Sequence, residues 1–122
     1  MKYKSIYFSR DKKRWCSCGC GMDMQPFALK KFDLAREHAG IPFNVNSGAR
    51  CPKYNKKIGG AASSAHTRGT AFDIRFDNDI SLIRIIYGLS KADFHRIGIN
   101  MQKKFIHADC DLELPSPAFF TY

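Results

Sequence analysis

The chain has 122 residues, enough for one domain with a buried core and too few for two independent cores. Apolar residues make up 44% of it, yet no apolar run approaches the roughly 20 residues that cross a bilayer, and the basic N-terminus lacks the apolar stretch of a signal peptide. Twenty basic against eleven acidic side chains give a net charge of +9, which favours an anionic partner such as nucleic acid, a cell wall or an acidic protein. We expect one soluble domain over 1–122.

The N-terminal segment is polar and basic and shows no sustained periodicity. We expect residues 1–15 to form a loose basic arm that joins the core at Trp15. The segment ends in the cysteine-rich stretch 16–21, and further cysteines stand at 51 and 110. An odd count leaves at least one thiol outside intramolecular disulfides.

The cysteines of this stretch are spaced by one residue, unlike the two-to-four-residue spacing of ordinary zinc fingers. Three states stay open, in this order of preference: reduced and packed thiols, a disulfide from the cluster to Cys51, and a second, structural metal.

Helical periodicity begins at Pro26 and ends near Ala39, where Gly40 provides a stop. An alternating run over 43–46 predicts a short strand, and Pro52 opens a second short helix that a glycine pair closes. The small residues that follow predict a flexible loop before the next strand.

A third helix is predicted from about Ile80 to Leu89, with Asn78 or Asp79 as its cap. Its expected apolar stripe consists of Ile83, Ile86 and Tyr87, assisted by Leu82 and Leu89. Two extended runs over 94–100 and 104–112 suit a hairpin, and the apolar tail over 115–122 is expected to lie back on the core.

Two predicted strands each combine an apolar face with a polar face. In the run 71–76, alternation places Asp73 on one face of the strand and three large apolar residues on the other face. In the run 104–112, His107 and Asp109 share the face opposite Ile106 and Ala108, roughly 7 Å apart along the strand. Both strands therefore present ligand-type side chains, and we expect these to face one cleft.

The stretch Ser64 to Asp73 sets His66 and Asp73 seven residues apart, and His107 follows further on. Two histidines and a carboxylate with an open fourth position are typical of a catalytic zinc, which supplies hydroxide near neutral pH. Asp109 is the candidate to move the water proton. On the turn that follows the first strand, Arg50 offers a planar fork for a substrate carboxylate or carbonyl; Ser64 is a candidate to bind the substrate backbone.

Each of these residues also has a structural explanation. Histidine and aspartate at this spacing are common in loops and at strand edges, and Asp109 equally suits an outer carboxylate that orients a ligand histidine. Arg50 suits a helix cap or an ion pair, and Ser64 is a common turn residue. The pattern alone leaves both explanations open.

These residues resemble a known family, the zinc D-alanyl-D-alanine carboxypeptidases and L-alanyl-D-glutamate endopeptidases that cut bacterial peptidoglycan, many of them encoded by bacteriophages. The stretch 64–73 fits the family signature Ser-x-His-x-x-Gly-x-Ala-x-Asp, with Ser-Gly-Ala-Arg at 47–50 upstream and Phe-Ile-His-Ala-Asp at 105–109 downstream. The resemblance extends from about Cys16 to the C-terminus. It implies an α+β fold, Hedgehog/DD-peptidase-like, with helices packed on a small antiparallel sheet.

The resemblance implies one catalytic zinc held by His66, Asp73 and His107, and substrate anchored by Arg50. Some members carry an acid three residues before the third ligand, where this chain has Lys104, and related peptidases carry a histidine two residues before it, where this chain has Phe105. Both departures shift the predicted base role to Asp109.

The expected function is hydrolysis of stem peptides or cross-links of peptidoglycan, as an endolysin or similar enzyme. Its partners would be peptidoglycan and other phage proteins, and nucleic acid is not expected because no groove-reading helix or aromatic platform is evident. It would act at the cell wall, in the periplasm or outside the cell, after release or as part of a virion. The alternative is a non-catalytic, zinc-containing structural or wall-binding component of a phage particle.

Overall fold

The computed structural model describes residues 3–9, 11 and 15–122. Three α-helices, one 3-10 helix and five strands follow one another along the described chain: α1 (Pro26–Ala39), β1 (Asn44–Ser47), α2 (Pro52–Lys57), the 3-10 helix (Ala65–Arg68), β2 (Ala71–Arg75), α3 (Asp79–Lys91), β3 (Arg96–Asn100), β4 (Phe105–Asp109) and β5 (Ala118–Thr121). The predicted α+β fold is confirmed.

Helix α1 has the bounds that the sequence predicts. Pro26 occupies its first turn, where a missing N–H costs no hydrogen bond, and Gly40 ends it in the left-handed conformation with φ 72°. Phe32 on its inner face stacks on Phe72 of β2, with ring centroids 4.1 Å apart. The helix therefore covers the apolar face of the sheet.

The five strands form one sheet in the order β1-β2-β4-β3-β5. The first four pair antiparallel, as expected, and β5 pairs parallel to β3. The tail that was expected only to lie back on the core thus supplies an edge strand. Its ring Phe120 lies over Gly98 of β3, where an added Cβ would come within 2.1 Å of that ring.

The predicted apolar stripe of α3 is wrong in part. Ile83 and Tyr87 are exposed, and the buried face carries Ile85, Gly88 and Leu89. The apolar residues of this helix form two overlapping stripes, and only one of them is buried by packing against α1. That face contains Gly88, where α1 comes so close that an added Cβ would lie 2.3 Å from the carbonyl oxygen of Ala35.

The described N-terminal residues join the core earlier than Trp15. Phe8 is buried, and its ring packs edge-on against Phe72 with centroids 5.0 Å apart. The buried carboxylate of Asp33 on α1 fastens this segment through four hydrogen bonds of 2.5–3.1 Å, donated by the side chains of Tyr3 and Ser5 and the backbone N–H groups of Ile6 and Tyr7. Part of the predicted arm, residues 1, 2, 10 and 12–14, lies outside the described residues.

Candidate metal centre

Strand pairing and a short 3-10 helix bring the three predicted ligands together. Asp73 on β2 stands directly opposite His107 on β4, and Asp73 Oδ1 lies 3.1 Å from His107 Nδ1. The 3-10 helix carries His66, and Nε2 of this histidine lies 3.2 Å from the same Asp73 oxygen. One ligand atom from each of the three residues lies within 4.8 Å of the others.

The second nitrogen of each ring is engaged by an acceptor. His66 Nδ1 lies 2.8 Å from the carbonyl oxygen of Gly48, and His107 Nε2 lies 2.7 Å from Asp109 Oδ2. Because these oxygens only accept, each ring in its neutral form would carry its proton on this nitrogen and turn its lone pair toward Asp73. In that form two lone pairs and a carboxylate converge with no donor among them, an arrangement that a metal ion or an added proton completes.

The pKa values of Asp73 and His107 are shifted in opposite directions, and each shift favours the charged form. Burial opposes ionisation of Asp73, but hydrogen bonds from His107 and His66 outweigh it and hold the pKa of the carboxyl well below its usual range. Burial likewise opposes protonation of His107, but its hydrogen bonds to Asp109 and Asp73 outweigh it and raise its pKa to about 9. Without a metal, His107 therefore holds a proton in the position that a cation would take.

Asp109 is fully buried, and both of its oxygens are in use. Oδ2 faces His107 Nε2, while Oδ1 accepts from Arg96 Nε at 2.9 Å and from the backbone N–H of Asp111 at 3.1 Å. Arg96 also donates to the carbonyl oxygen of Pro115. Of the two roles predicted for Asp109, these contacts favour the outer carboxylate that orients a ligand histidine.

Arg50 is held on the turn after β1. Its Nη1 donates to Asn55 Oδ1 at 2.8 Å and its Nη2 to Ser47 Oγ at 3.2 Å, while its backbone N–H bonds to the carbonyl of His66 at 2.9 Å. Asn55 is buried and also donates to the carbonyl of Ala61. The guanidinium is thereby oriented by side chains from two neighbouring segments.

Ser64 begins the 3-10 helix. Its Oγ accepts from the backbone N–H of His66 at 3.2 Å, and the residue is buried. The hydroxyl satisfies one of the free N–H groups of that helix and so helps to fix the position of His66. This contact favours the turn role over direct binding of substrate.

A family model described as Peptidase M15 matches residues 7–109. The chain belongs to the peptidase M15 family. This confirms the resemblance to zinc D-alanyl-D-alanine carboxypeptidases. M15 proteins are zinc-dependent peptidases, so the family supports a peptidase and a metal site. No curated protein matches the chain.

Three residues near the centre of this M15 protein escaped prediction. Arg96 pairs with Asp109, its register partner across β3 and β4, and alternation along the run 94–100 was the available signal. Phe120 packs on the His107 ring with centroids 5.6 Å apart. Tyr122 is mostly exposed, and its pKa is raised to about 12, first by partial desolvation and then by the charge of Asp73. No sequence pattern marked the last two.

The part of this M15 chain that the structure describes contains no helix long and apolar enough to cross a membrane.

Proposed function

We propose that this protein is a zinc-dependent peptidase that hydrolyses peptide bonds in the stem peptides or cross-links of bacterial peptidoglycan. The observation that carries the proposal is the convergence of His66 Nε2, Asp73 Oδ1 and His107 Nδ1, with each ring's other nitrogen engaged by an acceptor. Membership of the M15 family supports the peptidase activity, and the resemblance to peptidoglycan carboxypeptidases and endopeptidases supports the substrate.

His66, Asp73 and His107 would hold the zinc ion. When bound, zinc lowers the pKa of a water ligand to about 7 and polarises a substrate carbonyl. The neutral nitrogens and single carboxylate of this set match what zinc binds in hydrolytic sites. Gly48 and Asp109 hold the two rings in the tautomers that leave their lone pairs free for the metal.

Arg50 would bind the anionic end of the substrate. Ser47 and Asn55 hold its guanidinium, so the positive charge has a fixed position and orientation. A stem peptide that ends in a carboxylate offers the complementary group, and paired charge-assisted hydrogen bonds would fix its register beside the metal centre. The net charge of +9 favours approach to an anionic wall polymer.

Asp109 would act as a positioning residue for His107 and not as the group that moves the proton, because both of its oxygens are engaged and the residue is buried. Tyr122 carries a hydroxyl whose pKa is raised to about 12, first by partial burial and then by the charge of Asp73. It stays protonated at neutral pH and would donate toward charge that develops on the substrate.

The enzyme would meet its substrate at the bacterial cell wall, either after release from the producing cell or as part of a virion. The phage association and the lytic role rest on the resemblance of the sequence, and they are part of this proposal.

The test incubates purified, zinc-loaded protein with peptidoglycan and follows the release of amines, with and without a chelator. We expect release from the wild type, none from His66→Ala, and recovery of the chelated wild type on addition of zinc. His38→Ala is the matched control, because His38 is exposed on α1. Free D-alanine among the products would identify a carboxypeptidase, and an opened cross-link an endopeptidase.

Equal release from the wild type and His66→Ala would contradict the proposal. If zinc-loaded protein binds peptidoglycan but releases no amines, the non-catalytic wall-binding alternative replaces it.

A further inference from the structure

A second group of metal-type ligands lies outside the candidate metal centre. The Sγ atoms of Cys16, Cys18, Cys20 and Cys51 all lie within 4.8 Å of one another. Cys16 Sγ is 3.2 Å from Cys18 Sγ, and Cys18 Sγ is 3.5 Å from Cys51 Sγ. We propose that these four cysteines, here called the cysteine cluster, bind a structural zinc ion as four thiolates.

The dimensions of the cysteine cluster suit one tetrahedral ion. A Zn–S distance of about 2.3 Å places the four sulfurs of such a site roughly 3.8 Å apart. Two of the sulfur–sulfur distances, 3.2 and 3.5 Å, are slightly shorter than this value, and all four sulfurs lie within 4.8 Å of one another, so small side-chain rotations are enough to complete the site. A disulfide would join two of the sulfurs and give the other two no reason to converge, and a cluster of several irons would hold them farther apart.

The backbone between the cysteines explains the unusual one-residue spacing. Gly19 and Gly21 each have φ of 78°, in the left-handed region that favours glycine, and Gly19 N–H bonds to the carbonyl of Cys16 at 3.0 Å. These turns wrap the chain around one point, so that the side chains at the even-numbered positions 16, 18 and 20 converge. The two-to-four-residue spacing of zinc fingers serves the same end by a different turn, so the one-residue spacing does not count against a metal site.

Hydrogen bonds and nearby charges suit thiolates at this position. Cys51 N–H donates to Cys16 Sγ, and Tyr54 N–H donates to Cys51 Sγ, each at 3.4 Å. Such donors stabilise sulfur-borne negative charge around a metal. Four thiolates with one divalent ion carry a net negative charge, and the lysines that line the same cleft offset it: Lys53, Lys56 and Lys57.

The cysteine cluster would fasten the N-terminal segment to the turn that supports the metal centre. Trp15, next to Cys16, packs so closely on Gly48 that an added Cβ there would lie 2.5 Å from the indole. Gly48 in turn bonds His66 through its carbonyl. Cys51 directly follows Arg50. A zinc ion in the cluster would therefore stabilise the groups that orient one ligand and the substrate anchor.

The test measures zinc per chain in protein purified under reducing conditions. We expect about two ions in the wild type and about one in Cys18→Ser, because the cluster loses a ligand. Cys18 is exposed, so the substitution does not disturb the core. Cys110→Ser is the matched control and should keep about two, since Cys110 Sγ bonds instead to the carbonyl of Thr70.

A His66→Ala variant separates the two sites. It should keep about one ion if both sites bind zinc. If only the cysteine cluster binds zinc, the wild type and His66→Ala would both hold about one, which would leave this inference standing and count against the proposed peptidase. Equal zinc content in the wild type and Cys18→Ser would overturn the inference.

Two further measurements keep the test decisive if Cys18→Ser folds poorly. Cobalt-loaded wild type should show thiolate-to-metal charge-transfer absorption, and its absence would overturn the proposal. Titration with a thiol reagent in denaturant and chelator should find all five cysteines reduced. A count of three reduced cysteines would show that two of them form a disulfide in place of the metal site.

Discussion

Asp109→Asn separates the two roles that this carboxylate can have. The amide has nearly the same shape, but it cannot serve both of its present partners, because His107 Nε2–H and Arg96 Nε–H each need an acceptor. Whichever way the amide turns, one buried donor faces an NH2 group. His107 then loses the contact that fixes its tautomer, or Arg96 loses its hydrogen bond; in both orientations Arg96 loses its counter-ion, because the amide is neutral.

The expected losses follow from these contacts. Removal of a carboxylate that orients a ligand histidine costs about 10–100-fold in metal affinity, or about 1.4–2.7 kcal/mol. Breaking the buried pair with Arg96, whose side chain is only 13% exposed, should lower the free energy of unfolding by about 3 kcal/mol. A residue that moves the proton would instead cost about 10²–10⁴-fold in kcat with zinc affinity unchanged.

The assay therefore measures zinc affinity by competition with a chelator, and kcat at saturating zinc. We expect weaker zinc binding in Asp109→Asn and a kcat close to that of the wild type once the site is filled. Unchanged zinc affinity together with a collapse of kcat would refute the positioning role and restore the base role.

Asp111→Asn is the matched control. Asp111 is another buried carboxylate, two residues away, but it binds Arg68 through paired bonds of 2.8 and 2.9 Å, and its side-chain hydrogen bonds in the described part of the chain involve no histidine. Its replacement should lower stability and leave zinc affinity unchanged. If both variants lose affinity equally, the effect is one of general destabilisation.

Four other outcomes are expected. The pKa of His107 is raised from 6.5 to about 9, so zinc must displace a proton from this ring below pH 9. The apparent zinc affinity, measured by chelator competition, should therefore rise about tenfold per pH unit toward pH 9 and then level off. A flat profile between pH 7 and 9 would contradict this. By the same linkage, the metal-free protein should lose stability as the pH rises from 6.5 through about 9. Gly88→Ala should lower the midpoint of urea unfolding, because the new Cβ would lie 2.3 Å from the carbonyl oxygen of Ala35. Such overpacking costs about 1–3 kcal/mol or more, against a gain of about 1 kcal/mol in helix propensity. A higher midpoint would show that α1 moves aside to make room for the methyl group. Arg50→Lys should raise KM about tenfold with little change in kcat, because the ammonium cannot replace the fork that Ser47 and Asn55 hold; an unchanged KM would remove Arg50 from substrate binding.

Local signals were sufficient for the elements that carry the candidate metal centre. Pro26 and Gly40 fixed the bounds of α1, and alternation in the runs 71–76 and 104–112 put Asp73 and His107 on polar faces, which strand pairing then brought opposite each other. These features depend on residues close in sequence. They are therefore visible before any tertiary contact is known.

Features that depend on distant partners could not be predicted in this way. The buried face of α3 depends on the contact of Gly88 with α1, and the proposed positioning role of Asp109 depends on Arg96 on a neighbouring strand. Tyr122 and Phe120 reach the centre only because β5 adds in parallel beside β3. Each of these depends on register or packing between segments, which composition and periodicity do not encode.

The turn over residues 47–51 has a consequence for how such a protein can diversify. Within five positions it supplies the carbonyl that binds His66, the anchored Arg50 and the sulfur of Cys51. An inserted or deleted residue would shift at least one of them by a full backbone step of about 3.8 Å. Recombination between relatives should therefore preserve the length of this turn even where its side chains vary, while length variation accumulates in exposed connections.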